Sequence, residues 1–207
     1  MVDKDTTPRC RGASRVLAVA RRQAVTIVTA TTLTLLALAP VASAHAGCMG
    51  ANTPIRAASR DSLQSAVVCL INQQRSARGL AALNASSRLD RSAQGWTNVM
   101  VSRGVFGHGT DFSARITAAG FDWSNAGENI ATGYGTPATV VSAWMASTGH
   151  CQNILSPVYT EVGTGVRDLP IAGSSSAGGT WTQDFGLLMS QHAPSGNYGP
   201  ADGCPYN

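Results

Sequence analysis

Apolar residues recur at helical spacing through most of the chain and at strand spacing only near its end. That order limits the folds open to it. Residues 55–78 carry Leu63, Ala66, Val67, Leu70 and Ile71 on one helical face, and Gly79 stops the helix. A second helix, capped by Asn84 or Ser86 and ended by Gly104, turns Leu89, Ala93, Trp96, Val99 and Met100 inward. Asp111 caps a short third helix with Phe112, Ile116 and Ala119 inward, closed by Gly120. Thr136-Pro137 is a cap followed by a first-position proline. The helix it starts runs to about Ser147, with Val140, Val141, Trp144 and Met145 inward, and ends at Gly149. The period then changes to two. Residues 159–166 alternate loosely, a Ser/Gly turn follows at 173–179, and residues 180–189 set Trp181, Gln183, Phe185 and Leu187 on alternate positions. These two runs predict an antiparallel hairpin. Helices first and strands last predict an α+β fold, with helices packed over a small antiparallel sheet. Residues 121–125 read as a loop with Phe121 and Trp123, and the glycines flanking Glu128 predict close backbone packing there.

The start of the chain reads as an export signal. Basic residues from Lys4 to Arg22 precede an apolar run from about Ala24 to Leu38, then Ala42-Ser43-Ala44. The run is shorter than the roughly 20 residues a membrane span needs, so no stable span is expected. Cleavage is placed after Ala44, with a cut after Ala46 as the neighbouring option. Arg21-Arg22 fits twin-arginine export, and the ordinary secretory route also stays open. The expected division is a signal peptide at 1–44, an arm at 45–62, one domain at 63–189 and a tail at 190–207. The secreted product is expected to be a monomer.

Removing the leader changes the electrostatics. The chain carries a net charge of +4, but six basic and two acidic residues belong to residues 1–44, leaving nine of each sign beyond them. The basic balance therefore belongs to export. It gives no support to nucleic-acid binding, which needs a clustered basic face.

Cys48, Cys69, Cys151 and Cys204 remain after the leader. An even count in an exported chain predicts two disulfides. Three pairings are open; the favoured one joins Cys48 to Cys69, pinning the arm to the first helix, and Cys151 to Cys204, tying the tail beside His150.

Candidate chemistry rests on few groups. Glu128 lies in Gly-Glu-Asn, and a carboxylate in such an apolar setting is costly to bury unless paired. His108 and His150 both adjoin glycine. Two imidazoles and a carboxylate can bind a divalent metal such as zinc, run acid–base chemistry, or form a buried polar network. No Gly-x-Ser-x-Gly or other activated nucleophile is visible. Gln183-Asp184 faces either the cleft or solvent.

The ordered motifs Phe106-Gly107-His108, Gly127-Glu128-Asn129-Ile130-Ala131, Trp144 to His150, Gly163-Thr164-Gly165-Val166 and Trp181-Thr182-Gln183-Asp184-Phe185 resemble the CAP superfamily. That superfamily comprises the cysteine-rich secretory, antigen 5 and pathogenesis-related 1 proteins, and the likeness is to its secreted bacterial branch. The resemblance covers about residues 63–188. It implies an α-β-α sandwich with a central antiparallel sheet, and a cleft holding His108, Glu128 and His150, with Asn129 beside Glu128. Under it, His108 and His150 are the metal ligands and Glu128 joins them as ligand or base. The family's second Glu falls three positions after the helix Trp; here that position is Ser147, and Asp111 or Asp184 is left to compensate. The implied function is a secreted, non-enzymatic binding module for a lipid or sterol, a cell-wall component or a host protein. Phe121, Trp123 and Tyr134 are its expected cleft aromatics. A metal-assisted hydrolase using His108, Glu128 and His150 is the alternative, and a stapled scaffold with a vestigial site is the third reading.

Overall fold

The computed structural model describes residues 47–171, 178–193 and Cys204. The leader, its cleavage site, most of the Ser/Gly turn and most of the tail lie outside the described residues. A short 3-10 turn at Ile55–Ala57 precedes α1 (Arg60–Ser76), whose N-cap Ser59 accepts from the Ser62 N–H at 3.2 Å. There follow β1 (Asn84–Ala85), α2 (Ser87–Arg103), α3 (Phe112–Ala118), β2 (Trp123–Tyr134), α4 (Pro137–Met145), α5 (Thr148–Ile154), β3 (Glu161–Arg167) and β4 (Gly179–Leu188). The arm expected to stand exposed is tied down from Cys48 onward, through the Cys48–Cys69 bond and a hydrogen bond from the Ala138 N–H to the Ala51 carbonyl.

The strands form one sheet in the order β1-β3-β4-β2. β3 and β4 make the expected antiparallel hairpin, and β4 also pairs antiparallel with β2. The sheet is mixed rather than wholly antiparallel, because the two-residue β1 runs parallel to β3. One face carries Ala131, Trp181, Phe185, Val162 and Val166 against α1, α4 and α5, forming the main core. The other face meets α2 and α3. The result is the α-β-α sandwich, with every residue of β4 from Gly179 to Leu187 buried.

Side chains bond several outward backbone groups at both borders of the sheet. β1 covers only the start of β3. Beyond it, Asp90 Oδ1 accepts from the Thr164 N–H at 2.8 Å, and Gln94 bonds both the N–H and the C=O of Val166. Gln64 from α1 donates to the Thr164 carbonyl. On the far edge, alternation of the ladder sends every second β2 carbonyl away from β4. Those of Glu128 and Ile130 accept from Asn153 Nδ2 at 3.2 Å and Trp144 Nε1 at 3.3 Å.

Polar contacts with the sheet enter the buried stripe of α2: Gln94 bonds Val166 on β3, and the Thr97 hydroxyl bonds that of Thr182 on β4. Ser92, Gln94 and Thr97 are buried there, while Trp96 and Val99 are only half-buried, against the expectation from apolar spacing. The helix lies so close to β3 that a β-carbon on Gly163 would run into Leu89 and Asp90, and one on Gly165 into Ala93 and Gln94. Two further expectations are corrected. The segment left as a loop plus Gly-rich stretch is the twelve-residue strand β2. The single helix expected to end at Gly149 is two helices, because Ser147 is extended (φ −114°, ψ 126°) and Gly149 lies inside α5.

Candidate functional site

Glu128 projects from β2 toward α3 and the loop after α2. Its side chain is 2 % exposed. Oε2 accepts from Arg115 Nη2 at 2.6 Å, and Oε1 bonds His108 Nδ1 at 2.8 Å. The carboxylate is therefore paired, as its burial demands, and each oxygen has a charged or ring N–H partner. Arg115 comes from α3 and does more than pair. Its guanidinium lies 3.9 Å from the centroid of the Trp96 ring, and Nη1 reaches Asp111 Oδ1 at 3.3 Å. Trp96 also donates from Nε1 to the Gly107 carbonyl at 3.0 Å, and its ring fills the space a β-carbon on Gly109 would take. One indole thus braces both the cation and the loop that presents His108. His108 itself is half exposed.

His150 approaches from the other layer, on α5. It bonds neither Glu128 nor His108 through its ring. Burial first, and then the charge of His108, push its imidazole below the ordinary histidine range. Its backbone carbonyl accepts from Asn129 Nδ2 at 3.2 Å. Asn129, expected in the cleft, is fully buried behind it; it also bonds Asn153 at 2.9 Å and so fixes α5 to the sheet. A β-carbon on Gly127 would strike the Tyr159 hydroxyl and Asn153, so the packing expected from that glycine is real.

Beside His150 lies a cleft of about 280 Å3. Ile130, Ala131, Tyr134, Ala143 and Trp144 wall it together with Phe106, and Thr132 and Ser147 add hydroxyls. Of the three expected cleft aromatics only Tyr134 belongs there. Phe121 is buried in the core against Gly186, and Trp123 packs on that cluster with its Nε1 on Thr117.

The resemblance implied a metal on His108 and His150 with Glu128. The donors do not fit one. Both Glu128 oxygens are engaged by Arg115 and His108, and among the described residues no group of three or more His, Cys, Asp or Glu is placed to hold an ion. The resident cation of the site is Arg115, which spacing alone did not single out.

Asp184 is the second residue whose role spacing left open. It sits directly across from Glu128 in the β2–β4 register and is 1 % exposed, so it faces neither cleft nor solvent. Neither carboxyl oxygen makes a well-aligned hydrogen bond. Burial, and then the charge of Glu128, raise its pKa well above the ordinary carboxylate range; Ser92 and Arg115 oppose this. Asp111, the other substitute acid, is on the surface with Arg115. A raised pKa means the folded protein holds a proton that the unfolded chain releases. Stability from this group is complete at low pH and falls as pH rises from the ordinary carboxylate range through the raised value. Asp184→Asn, which mimics the neutral acid, is therefore expected to match wild type in acid and to exceed it increasingly toward pH 8. Urea unfolding across pH checks this, and a variant less stable than wild type at pH 8 would contradict it.

The fold agrees with what known proteins show. Residues 68–185, more than half of the chain, match the family model described as CAP, the cysteine-rich secretory protein family. The chain is 37 % identical over 124 residues to YkwD of Bacillus subtilis, an uncharacterized protein; the match spans 58 % of this chain and 45 % of that one. In fold it is similar to an extracellular SCP-domain protein of Bacillus anthracis, with a TM-score of 0.53 and 24 % identity over 62 % of this chain and 44 % of that one. An outer surface protein of Borrelia burgdorferi gives 0.52 and 18 % over 59 % and 90 %. The chain thus spans under half the length of both Bacillus relatives. With the family model covering its sandwich from α1 to β4, the chain belongs to the CAP family of cysteine-rich secretory proteins.

Proposed function

We propose that this protein is a secreted binding module whose cleft beside His150 takes the apolar part of a small amphipathic ligand, from a lipid or a cell-wall component. The observation that carries the reading is the contrast between the two halves of the site. Glu128 is sealed by Arg115 and His108, while the adjoining cleft is open and apolar-walled. Its size lies near the lower edge of small-molecule pockets, which suits one chain or ring rather than a protein surface. The two disulfides and the export-like leader favour an oxidising, extracellular setting, as do relatives described as extracellular or outer-surface proteins. Among the described residues no helix is long and apolar enough to cross a membrane. Metal-assisted hydrolysis has no corresponding support in the donor geometry.

The test is titration with the neutral fluorophore N-phenyl-1-naphthylamine. Wild type is expected to bind it, and Ala143→Trp, which fills the cleft without touching Glu128 or His108, is expected to weaken binding at least about tenfold, the equivalent of about 1.4 kcal/mol. Equal binding by both proteins would refute the reading.

A further inference from the structure

The chemistry around the cleft says more about its ligand than apolar walls do. Among the described residues none that lines it is Asp, Glu, Lys or Arg. The nearby cation is spent: Arg115 places Nη2 on Glu128 and Nη1 on Asp111, stacks on Trp96, and is 16 % exposed. His108 commits Nδ1 to the Glu128 carboxylate.

The polar groups left for a ligand are neutral ones. Ser147 occupies the N-cap position of α5, yet its hydroxyl makes no capping bond. The Thr132 hydroxyl is already used, by Thr180 at 3.2 Å and by the Ile171 N–H at 3.3 Å. Among the described residues the His150 ring has no hydrogen-bond partner, which leaves it to meet a ligand hydroxyl. The first turn of the seven-residue α5 supplies at most a fraction of a positive charge. An anionic group drawn into this cleft is thus desolvated without a counter-charge, which is costly. A hydroxyl finds a donor and an acceptor.

We propose that the cleft selects ligands with a neutral hydroxyl head over their anionic counterparts, and that Ser147 and His150 are the residues that read the head. This rests on the binding-module reading and adds the head-group class to it. Ser147 is the specificity-determining position: an uncharged residue there keeps the cleft free of fixed charge.

The experiment is calorimetric titration of the purified protein at pH 8 with 1-octanol and with octanoate, two probes of equal chain length. Wild type is expected to bind octanol at least about tenfold more tightly, or about 1.4 kcal/mol. Ser147→Lys, which brings a cation to the cleft, is expected to reverse that preference. Octanoate bound as tightly as octanol by wild type overturns the selection and leaves the binding module standing. Heat from neither probe overturns both. A Ser147→Lys protein that stays folded by circular dichroism and keeps the wild-type preference removes Ser147 from the proposal.

Discussion

Arg75→Ala is expected to lower the unfolding free energy by about 3–5 kcal/mol, a large share of the 5–15 kcal/mol typical of a domain. Arg75 lies near the end of α1 and is 1 % exposed. Nε donates to the Ala81 carbonyl at 2.7 Å, and Nη1 donates to the carbonyls of Ile154 at 2.8 Å and Ser156 at 2.7 Å. One guanidinium therefore gathers the end of α1, the loop into β1 and the end of α5. Truncation leaves those carbonyls short of a donor in a dry site and opens a cavity as well. Arg75→Lys is expected to recover only part of the loss, since an ammonium lacks the planar fork that reaches several acceptors at once. Urea unfolding with the disulfides intact measures both variants; a loss under about 1 kcal/mol for the alanine variant would contradict the argument. Because Arg75 holds α5, fluorophore binding at the His150 cleft is expected to weaken in the same variant.

The second large effect is expected from Cys151 and Cys204. Their bond closes a separation of 53 residues, against 21 for Cys48 and Cys69. The chain-entropy estimate is about 4 kcal/mol for the longer loop and about 3 for the shorter. Replacing both members of each pair by alanine should therefore destabilise more at Cys151–Cys204. Thermal unfolding of the two double variants gives the ranking, and the reverse order would show that strain or unfolded-state structure outweighs loop length. The longer loop has a local effect too. Cys151 follows His150 on α5 and is fully buried, so amide exchange in α5 is expected to speed up when this bond is lost and to change little when the other is.

Much of the frame was legible from periodicity. α1, α2, the start of α4 and the β3–β4 hairpin come from apolar spacing and capping that local sequence carries in full, and the favoured cysteine pairing is the one formed. β2 was not legible. Its sequence, Trp-Ser-Asn-Ala-Gly-Glu-Asn-Ile-Ala-Thr-Gly-Tyr, is poor in β-branched residues, and it is a strand because β4 offers it a partner along its length. The α4–α5 break was hidden because nothing about Ser147 alone demands an extended backbone. Motif order did bring His108 and Glu128 together, and burial forced a partner on the carboxylate. That the partner is Arg115 depends on α3 folding back over the sheet, which no spacing encodes. Asp184 misleads for a related reason: in a strand with one wet face an acid between Gln183 and Phe185 points to solvent, but here α2 covers that face.

The side chains along the two outer strands bear on which partners this protein can recruit. An uncovered strand invites another chain to add itself as a further strand, the step behind both β-augmentation of peptides and runaway polymerisation. Here the outward groups of Thr164 and Val166 are taken by Asp90, Gln64 and Gln94, and the outward carbonyls of Glu128 and Ile130 by Asn153 and Trp144. An extended peptide lying along these stretches meets those groups already in use. Border groups bonded in this way disfavour strand-to-strand pairing between copies of the protein.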